Sequence, residues 1–344
     1  MSDTPTFSDG RNGNRAYIAP SLGNKPRLSQ VDEAECIFCP QNWGKLKPYG
    51  GVDTTEMAKR GMLAYYNPHP QVDLHLTVVG TRNHNLNEFA PTQEALDYWV
   101  NFFWASAGVS DVLAADGHNF CGVGKNRNGR ILEEGKFRDV KAGGSQPHDH
   151  LHVVGTYETP FGLEDRLFPR GYLKENLVQE FSYKRLNGCI RCEDLSDYVS
   201  GEQKRLFNDK QLDRFVVYVE RHPELYPYIH EVKIVPLEHT PHLSKLSSSD
   251  LISLGRVTHE TMFILNEEYQ GMGYNILIRE GPRKGNKGDP RTYHLEVRIF
   301  AAHPKLRNER DVGILPALVK GAILPEDPKI TTEKLQRHVG KFKI

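Results

Sequence analysis

His148, His150 and His152 stand at every second position of the segment GGSQPHDHLHVVG, Gly143 to Gly155. In a β-strand successive side chains alternate faces at a rise of roughly 3.3 Å per residue, so three such histidines share one face about 6.7 Å apart. The flanking VVG is strand-like and GGSQP is loop-like. Three adjacent imidazoles bury poorly and repel one another when protonated. The plain alternative is an exposed histidine-rich strand; otherwise the pattern belongs to metal, phosphate or covalent chemistry. An imidazole with an ordinary pKa of about 6.5 is largely neutral near pH 7, as a nucleophile at phosphorus must be. A covalent intermediate would divide one exchange into two easier steps.

The chain has five cysteines, four of them in two C-x-x-C pairs, Cys36/Cys39 and Cys189/Cys192. In a reducing compartment such pairs suggest metal or redox work before disulfides. Structural zinc takes four thiolate and imidazole ligands tetrahedrally. Cys36, Cys39, His84 and His148 make one candidate Cys₂His₂ set, and Cys189, Cys192, His239 and His294 make a second. His242 competes with His239 in the second. The alternative is that these cysteines are small buried hydrophobes, which is the reading preferred for Cys121.

These landmarks recur in one order. Cys189 follows Cys36 by 153 residues, His239 follows His84 by 155, Asn275 follows Asn119 by 156 and His294 follows His148 by 146. Each repeat has a strand ending in a histidine, HLTVVGTRNH and EVKIVPLEH, and then an amphipathic helix with a start signal. These helices are PTQEALDYWVNFFWASAG and SSSDLISLGRVTHETMFILNEEY; in the second, Ser247 and Asp250 form a capping-box pattern with Asp in place of Glu. A strand running into a Gly-rich basic loop follows, GHNFCGVGKNRNGR and GYNILIREGPRKGNKG. The reading is α+β: two tandem repeats, each a helix-packed antiparallel sheet. Residues 1–30 form an N-terminal extension and strand, 31–155 the catalytic repeat and 156–185 a bridge. Residues 186–310 form a degenerate repeat and 311–344 a tail with a short peripheral helix.

With 44 basic and 44 acidic residues in 344, the net charge is zero, which argues against a bulk nucleic-acid binder. No apolar run approaches the ~18 residues of a membrane span, and the polar N-terminus has no signal core. A soluble, cytoplasmic protein is expected. Lys125, Arg127, Arg283, Lys284 and Lys287 of the two basic loops are either solvated or reach substrate phosphates.

Together these segments resemble the galactose-1-phosphate uridylyltransferase family of the histidine-triad (HIT-like) superfamily, over nearly the whole chain. YIAPSLGNKP is similar to its N-terminal strand and phosphate-contacting turn, which would place Lys25 at the substrate. ECIFCPQN is similar to its first zinc half-site. YYNPHP…HLTVVGTRNH is similar to its nucleoside-binding strand, which would place Asn67 near the nucleoside. GGSQPHDHLH is similar to the active-site signature Gly-x-Ser-x-Pro-His-Pro-His-x-Gln. The resemblance implies two HIT-like repeats, one or two zinc ions, His148 as a zinc ligand and His150 as the nucleophile that attacks the α-phosphorus of a nucleotide. It implies phosphate contacts from Gly143 and Ser145, with backbone N–H groups of the turn including Gly144, and a substrate contact from Asn126 or Asn128. His152 would support the phosphate or leaving oxygen.

Four departures stand out. His152 replaces the signature's glutamine, and branches that hydrolyse or phosphorolyse nucleotides often carry histidine there. Asp149 replaces a proline, Leu22 and Lys25 replace arginines, and Glu296 and Arg298 occupy positions that are histidines in some members. The implied activity is nucleotidyl transfer from a nucleoside-diphosphate sugar to a sugar 1-phosphate, in a homodimer that binds neither nucleic acid nor membrane. The alternatives are a phosphorylase or hydrolase using phosphate or water as acceptor, and a zinc-stabilised binding module that has lost catalysis.

Overall fold

The computed structural model describes residues 6–8, 15–17, 33–68, 74–118, 120–140, 142, 148–156, 189–207, 214–220, 231–281, 283, 291, 293–302 and 327–344. β1 (Thr6–Ser8) and β2 (Arg15–Tyr17) form an antiparallel hairpin. The short α1 (Thr54–Lys59) is capped by the Asp53 carboxylate, which accepts from the N–H groups of Thr55 and Glu56. It leads into β3 (Leu63–Tyr66) and β4 (Leu74–Val79). The long α2 (Gln93–Ala115) starts where the sequence places it, with Thr92 as N-cap. Then come β5 (Phe120–Arg127), a projecting hairpin of β6 (Gly129–Glu133) and β7 (Lys136–Val140), and β8 (His150–Thr156). The second half has α3 (Ile190–Ser200), β9 (Phe215–Val219), β10 (Glu231–Pro236), α4 (Ser248–Glu268), β11 (Gly273–Arg279) and β12 (Glu296–Ala302). The capping box of α4 forms as expected, with both the Ser247 and Asp250 bonds present. α5 (Pro328–Gln336) follows in the tail.

Eight of these strands make one antiparallel sheet in the order β3-β4-β8-β5-β11-β12-β10-β9. The architecture is α+β. Read from either edge, the order is first, second, fourth and third strand of each half, and β5 pairs with β11 to join the halves. The two long helices pack on one sheet face. Trp99, Phe102 and Phe103 of α2 and Leu254, Val257 and Leu265 of α4 share a core with Val123, Leu151, Val153, Ile276, Val297 and Ile299 from the strands. Each such side chain contributes about 1.5–3 kcal/mol by leaving water. The helices touch at Gly255, where a Cβ would meet backbone atoms of Val100 at 2.8 Å. Gly255→Ala is therefore expected to destabilise. Overpacking costs about 1–3 kcal/mol, against at most about 1 kcal/mol of helix propensity gained. A denaturant melt that shows net stabilisation would contradict this contact.

Because side chains alternate, residues opposite the core face the other way. That second face carries His150 and His152 on β8, Gly122 and Gly124 on β5, and Glu296 and Arg298 on β12, as the pairings Gly124↔His152 and Leu277↔Arg298 require. It is not left bare. In the first half the C-x-x-C turn and a 3-10 helix, Pro40–Lys45, lie over it, with Phe38, Tyr65 and Val79 in one apolar cluster. In the second half α3 lies over it, with Leu195, Tyr198, Val216, Tyr218 and Val235 in another. No helix among the described residues is long and apolar enough to cross a membrane.

One sequence reading changes here. The basic run GKNRNGR is not a solvated loop: Lys125 and Arg127 lie in β5, and Lys125 is fully buried against the core. Its ammonium pairs with Asp149 and donates to the Tyr98 hydroxyl at 2.7 Å, with the Tyr98, Trp99 and Tyr274 rings around it. Arg127 pairs with Glu88 at 3.3 Å and approaches Asp149 at 3.8 Å. Burial alone would raise the Asp149 carboxyl, but Lys125 and then Arg127 outweigh it and hold it below the usual carboxylate range. So the residue that replaces the signature's proline points away from the histidines, into a buried ion-pair network. Asp149→Asn leaves the Lys125 charge buried without its nearest counterion and is expected to cost about 3–5 kcal/mol. Replacing both by apolar side chains should recover most of that loss, and chemical denaturation of the two variants measures it. Arg283 is likewise committed to Glu280, Asp111 and Ser110, while Lys284 and Lys287 lie outside the described residues.

Candidate active site and metal centres

The four residues of the first set come together just before the start of β8. Cys36, Cys39, His84 and His148 are all buried, and one ligand atom from each lies within 4.8 Å of the others. Cys39 Sγ is 3.3 Å from His84 Nδ1 and 3.4 Å from His148 Nδ1. A tetrahedral ion with S and N ligands at zinc distances would set such pairs about 3.3–3.8 Å apart. His148 Nε2–H donates to the Thr81 carbonyl at 3.0 Å, which leaves the lone pair on Nδ1, facing the cluster. Burial first, with the neighbouring His84, outweighs that carbonyl and lowers the His148 pKa, so the ring is neutral. Two thiols and two imidazole nitrogens that converge in a buried pocket fit a borderline-soft divalent cation.

Cys189, Cys192, His239 and His294 converge in the same way, also within 4.8 Å. Cys192 Sγ is 3.4 Å from His239 Nδ1 and 3.5 Å from His294 Nδ1, and Cys189 Sγ is 4.0 Å from His294 Nδ1. His294 Nε2–H donates to the Pro236 carbonyl at 2.8 Å. Thr81 precedes His84 by three residues, as Pro236 precedes His239. The choice between His239 and His242 falls on His239; His242 is the N-cap of a 3-10 turn, Leu243–Lys245. Cys121 is buried in the core, as expected.

Beyond the ligands the two centres differ. His150 is buried, and its Nδ1–H donates to the His148 carbonyl at 2.9 Å. That tautomer puts the lone pair on Nε2. Phe38, from the middle of the first C-x-x-C, lies against the ring at 4.7 Å between centroids. In the second centre Arg191 holds the middle of the C-x-x-C and Glu296 stands two residues after His294. Arg191 Nε meets Glu296 Oε1 at 2.8 Å. Arg298 Nη2 lies 2.6 Å from the other Glu296 oxygen, and Arg279 and Lys233 lie at 3.8 and 3.9 Å. An aromatic ring on a histidine is thus replaced by a buried guanidinium–carboxylate pair.

His152 is half-buried, and its Nδ1 is 2.9 Å from His75 Nε2. Asn67 Nδ2, which can only donate, lies 2.8 Å from Thr77 Oγ1 and 3.4 Å from the same His75 nitrogen. One proton serves the His75–His152 contact, so one ring donates and the other accepts. His75 and Phe38 are site residues that the sequence reading missed. The available signal for His75 was a single imidazole in the apolar strand LHLTVV; its partnership with His152 depends on the β4–β8 register, Thr77↔His152. Asn126 lies in β5 and Asn128 directly after it, where its Oδ1 accepts from the Ala142 N–H at 2.8 Å. Lys25, Gly143, Gly144 and Ser145 lie outside the described residues.

No protein-family model and no curated protein sequence matches the chain. Solved structures do. A uridylyltransferase superposes with a TM-score of 0.69 at 17% identity, covering 98% of this chain and 98% of the other. An ADP-glucose phosphorylase from Arabidopsis thaliana, solved with ADP-glucose bound, gives 0.65 at 15% identity over 97% of this chain and 99% of that one. The chain has the uridylyltransferase fold. A galt-like protein from Arabidopsis thaliana has it too, with a TM-score of 0.65 at 14% identity over 96% and 98% of the two chains. The uridylyltransferase fold thus accounts for nearly all of the sequence, including the halves that carry the two Cys₂His₂ clusters.

Proposed function

We propose that this chain is a zinc-containing nucleotidyl-transferring enzyme that acts on nucleoside-diphosphate sugars through a nucleotidyl-histidine at His150. The observation that carries the reading is the state of His150: buried beside Phe38, with Nδ1–H tied to the His148 carbonyl, so that Nε2 is the nucleophilic nitrogen. The lone pair of Nε2 attacks the α-phosphorus. A P–N bond forms as the P–O bond to the sugar phosphate breaks, and the sugar 1-phosphate leaves with the electron pair. An acceptor oxygen then attacks the same phosphorus, and the P–N pair returns to Nε2. Zinc, when held by Cys36, Cys39, His84 and His148, supplies a fixed cross-link that sets the start of β8. Asn67 is assigned to the nucleoside, and Lys25, Gly143, Gly144 and Ser145 to the phosphates, by the resemblance of their sequence segments to the uridylyltransferase motifs.

The preferred acceptor is a sugar 1-phosphate. A second reading, phosphate or water as acceptor, is favoured by His152 and its bond to His75. A histidine can take up an acceptor's proton, which the amide of the signature's glutamine does not do. Both readings follow what the named neighbours do, transfer in one case and phosphorolysis in the other. We also read the chain as two tandem HIT-like copies, supported by the mirrored strand order and by the matching Thr81–His148 and Pro236–His294 bonds. The second copy then keeps the metal and has exchanged its chemistry for ion pairs.

Incubation with UDP-glucose and ADP-glucose labelled in the nucleotide, followed by acid-free mass spectrometry of the protein, tests the proposal. The expected result is a nucleotidyl adduct on His150, discharged by sugar 1-phosphate or by inorganic phosphate according to the acceptor. Sugar 1-phosphate release in steady state with no adduct under quench would remove the covalent step.

A further inference from the structure

Gly124 pairs with His152 across β5 and β8. Continued by two residues, that register brings Asn126 level with His150 on the same face, as the approach of Arg127 to Asp149 across the same strands supports. In the next strand Asn275 of β11 is the direct partner of Asn126. His150, Asn126 and Asn275 thus form a row across the sheet, and the last of them comes from the second half of the chain. Asn275 Nδ2 donates to Asn126 Oδ1 at 2.5 Å and to the Ala142 carbonyl at 2.6 Å. Two acceptors around one amide nitrogen fix which prong of Asn275 is nitrogen. That in turn fixes Asn126, whose oxygen is held toward β11 and whose N–H donors are turned away from it. The strand on that side is β8, which carries His150.

We propose that Asn275 is a positioning residue that sets the amide of Asn126 to donate, not accept, beside the phosphoryl group that His150 attacks. The inference rests on the reading of His150 as nucleophile. An amide has nearly the same shape in either orientation, so packing alone does not choose between them. One orientation offers N–H groups to the charge that builds on the equatorial phosphate oxygens; the other offers a carbonyl oxygen that repels it. The half of the molecule that has no nucleophile of its own thereby contributes to the chemistry of the other half.

Asn275→Asp is nearly isosteric but presents only acceptors, so Asn126 must turn its N–H groups toward β11 and its oxygen toward the phosphate. The readout is the single-turnover rate of nucleotidyl-protein formation with labelled UDP-glucose or ADP-glucose, alongside melting temperature and zinc content. Loss of one oxyanion donor typically costs about 10²–10³-fold in rate. Asn275→Asp should slow adduct formation by about 10²-fold, with apparent affinity for the nucleotide sugar changed by less than about threefold. Asn126→Ala should show a similar loss. In the Asn126→Ala background the further change Asn275→Asp should cost less than about threefold, because the two act as one unit. Equal losses from Asn275→Asp in both backgrounds, or wild-type rates from a folded Asn275→Asp variant, would overturn the proposal while the His150 chemistry stands. If wild-type protein forms no adduct with either nucleotide sugar, the nucleophile reading itself fails and takes this inference with it.

Discussion

His150→Asn is expected to abolish the nucleotidyl adduct and to cut turnover by at least about 10³-fold, a barrier increase of about 4 kcal/mol. Asparagine can keep the bond from its side-chain N–H to the His148 carbonyl, but it has no second nitrogen to attack phosphorus. The residue is not a ligand of the first centre, whose four donors are Cys36, Cys39, His84 and His148. Zinc content should therefore stay at the wild-type level, and stability should change only through the lost contact with Phe38. His150→Gly is the more informative companion. It opens a space where the imidazole stood, and a preformed nucleotidyl-imidazolide can supply both the missing ring and the activated phosphorus. That variant is expected to complete only the second half-reaction, handing the nucleotide to its acceptor. Near-native turnover by folded, zinc-replete His150→Asn would exclude covalent catalysis at this position and move the chemistry to His152.

The fate of the individual readings follows the range of the physical signal. The alternating histidines, the C-x-x-C pairs and the cap of α4 were legible because each is a local pattern of period two, three or four. Both Cys₂His₂ clusters could be assembled from sequence because their landmarks recur in the same order. The burial of Lys125 was not legible. A Gly- and Asn-rich basic run reads as loop, and the counterion that lets it lie in the core, Asp149, is 24 residues away, immediately before another strand. The same limit applies to Arg191 and Glu296: neither residue signals a pair until α3 is laid over β12. His75 needed the β4–β8 register, and Asn275 needed the β5–β11 pairing that joins the halves. In each case the missing information was which strand lies beside which, and that is set by the closure of the whole sheet.

Loss of the first metal centre is expected to have the largest effect on stability, and it should reach the chemistry as well. Structural zinc in small domains contributes about 10–16 kcal/mol of apparent binding free energy at pH 7, so a protein that loses one ligand loses several kcal/mol of stability. Cys36→Ser should lower zinc by one equivalent and lower the denaturation midpoint accordingly. It should also slow adduct formation in the protein that remains folded. The Cys36–Cys39 turn carries Phe38 against His150, and His148 supplies the carbonyl that holds His150 Nδ1–H. A ligand lost there loosens two of the contacts that orient His150, the proposed nucleophile. The second centre offers the control. His294→Asn removes a ligand from an equivalent cluster, but what stands beside that cluster is the Arg191–Glu296 pair. It should lose zinc and stability to a comparable degree, while adduct formation per folded molecule stays within about twofold of wild type. Metal analysis, denaturant melts and adduct counting on the two variants separate these expectations. Wild-type protein that is free of zinc after purification without chelators would remove the structural role given to both centres. A folded, zinc-replete and inactive His294→Asn variant would instead place the second half directly in the chemistry.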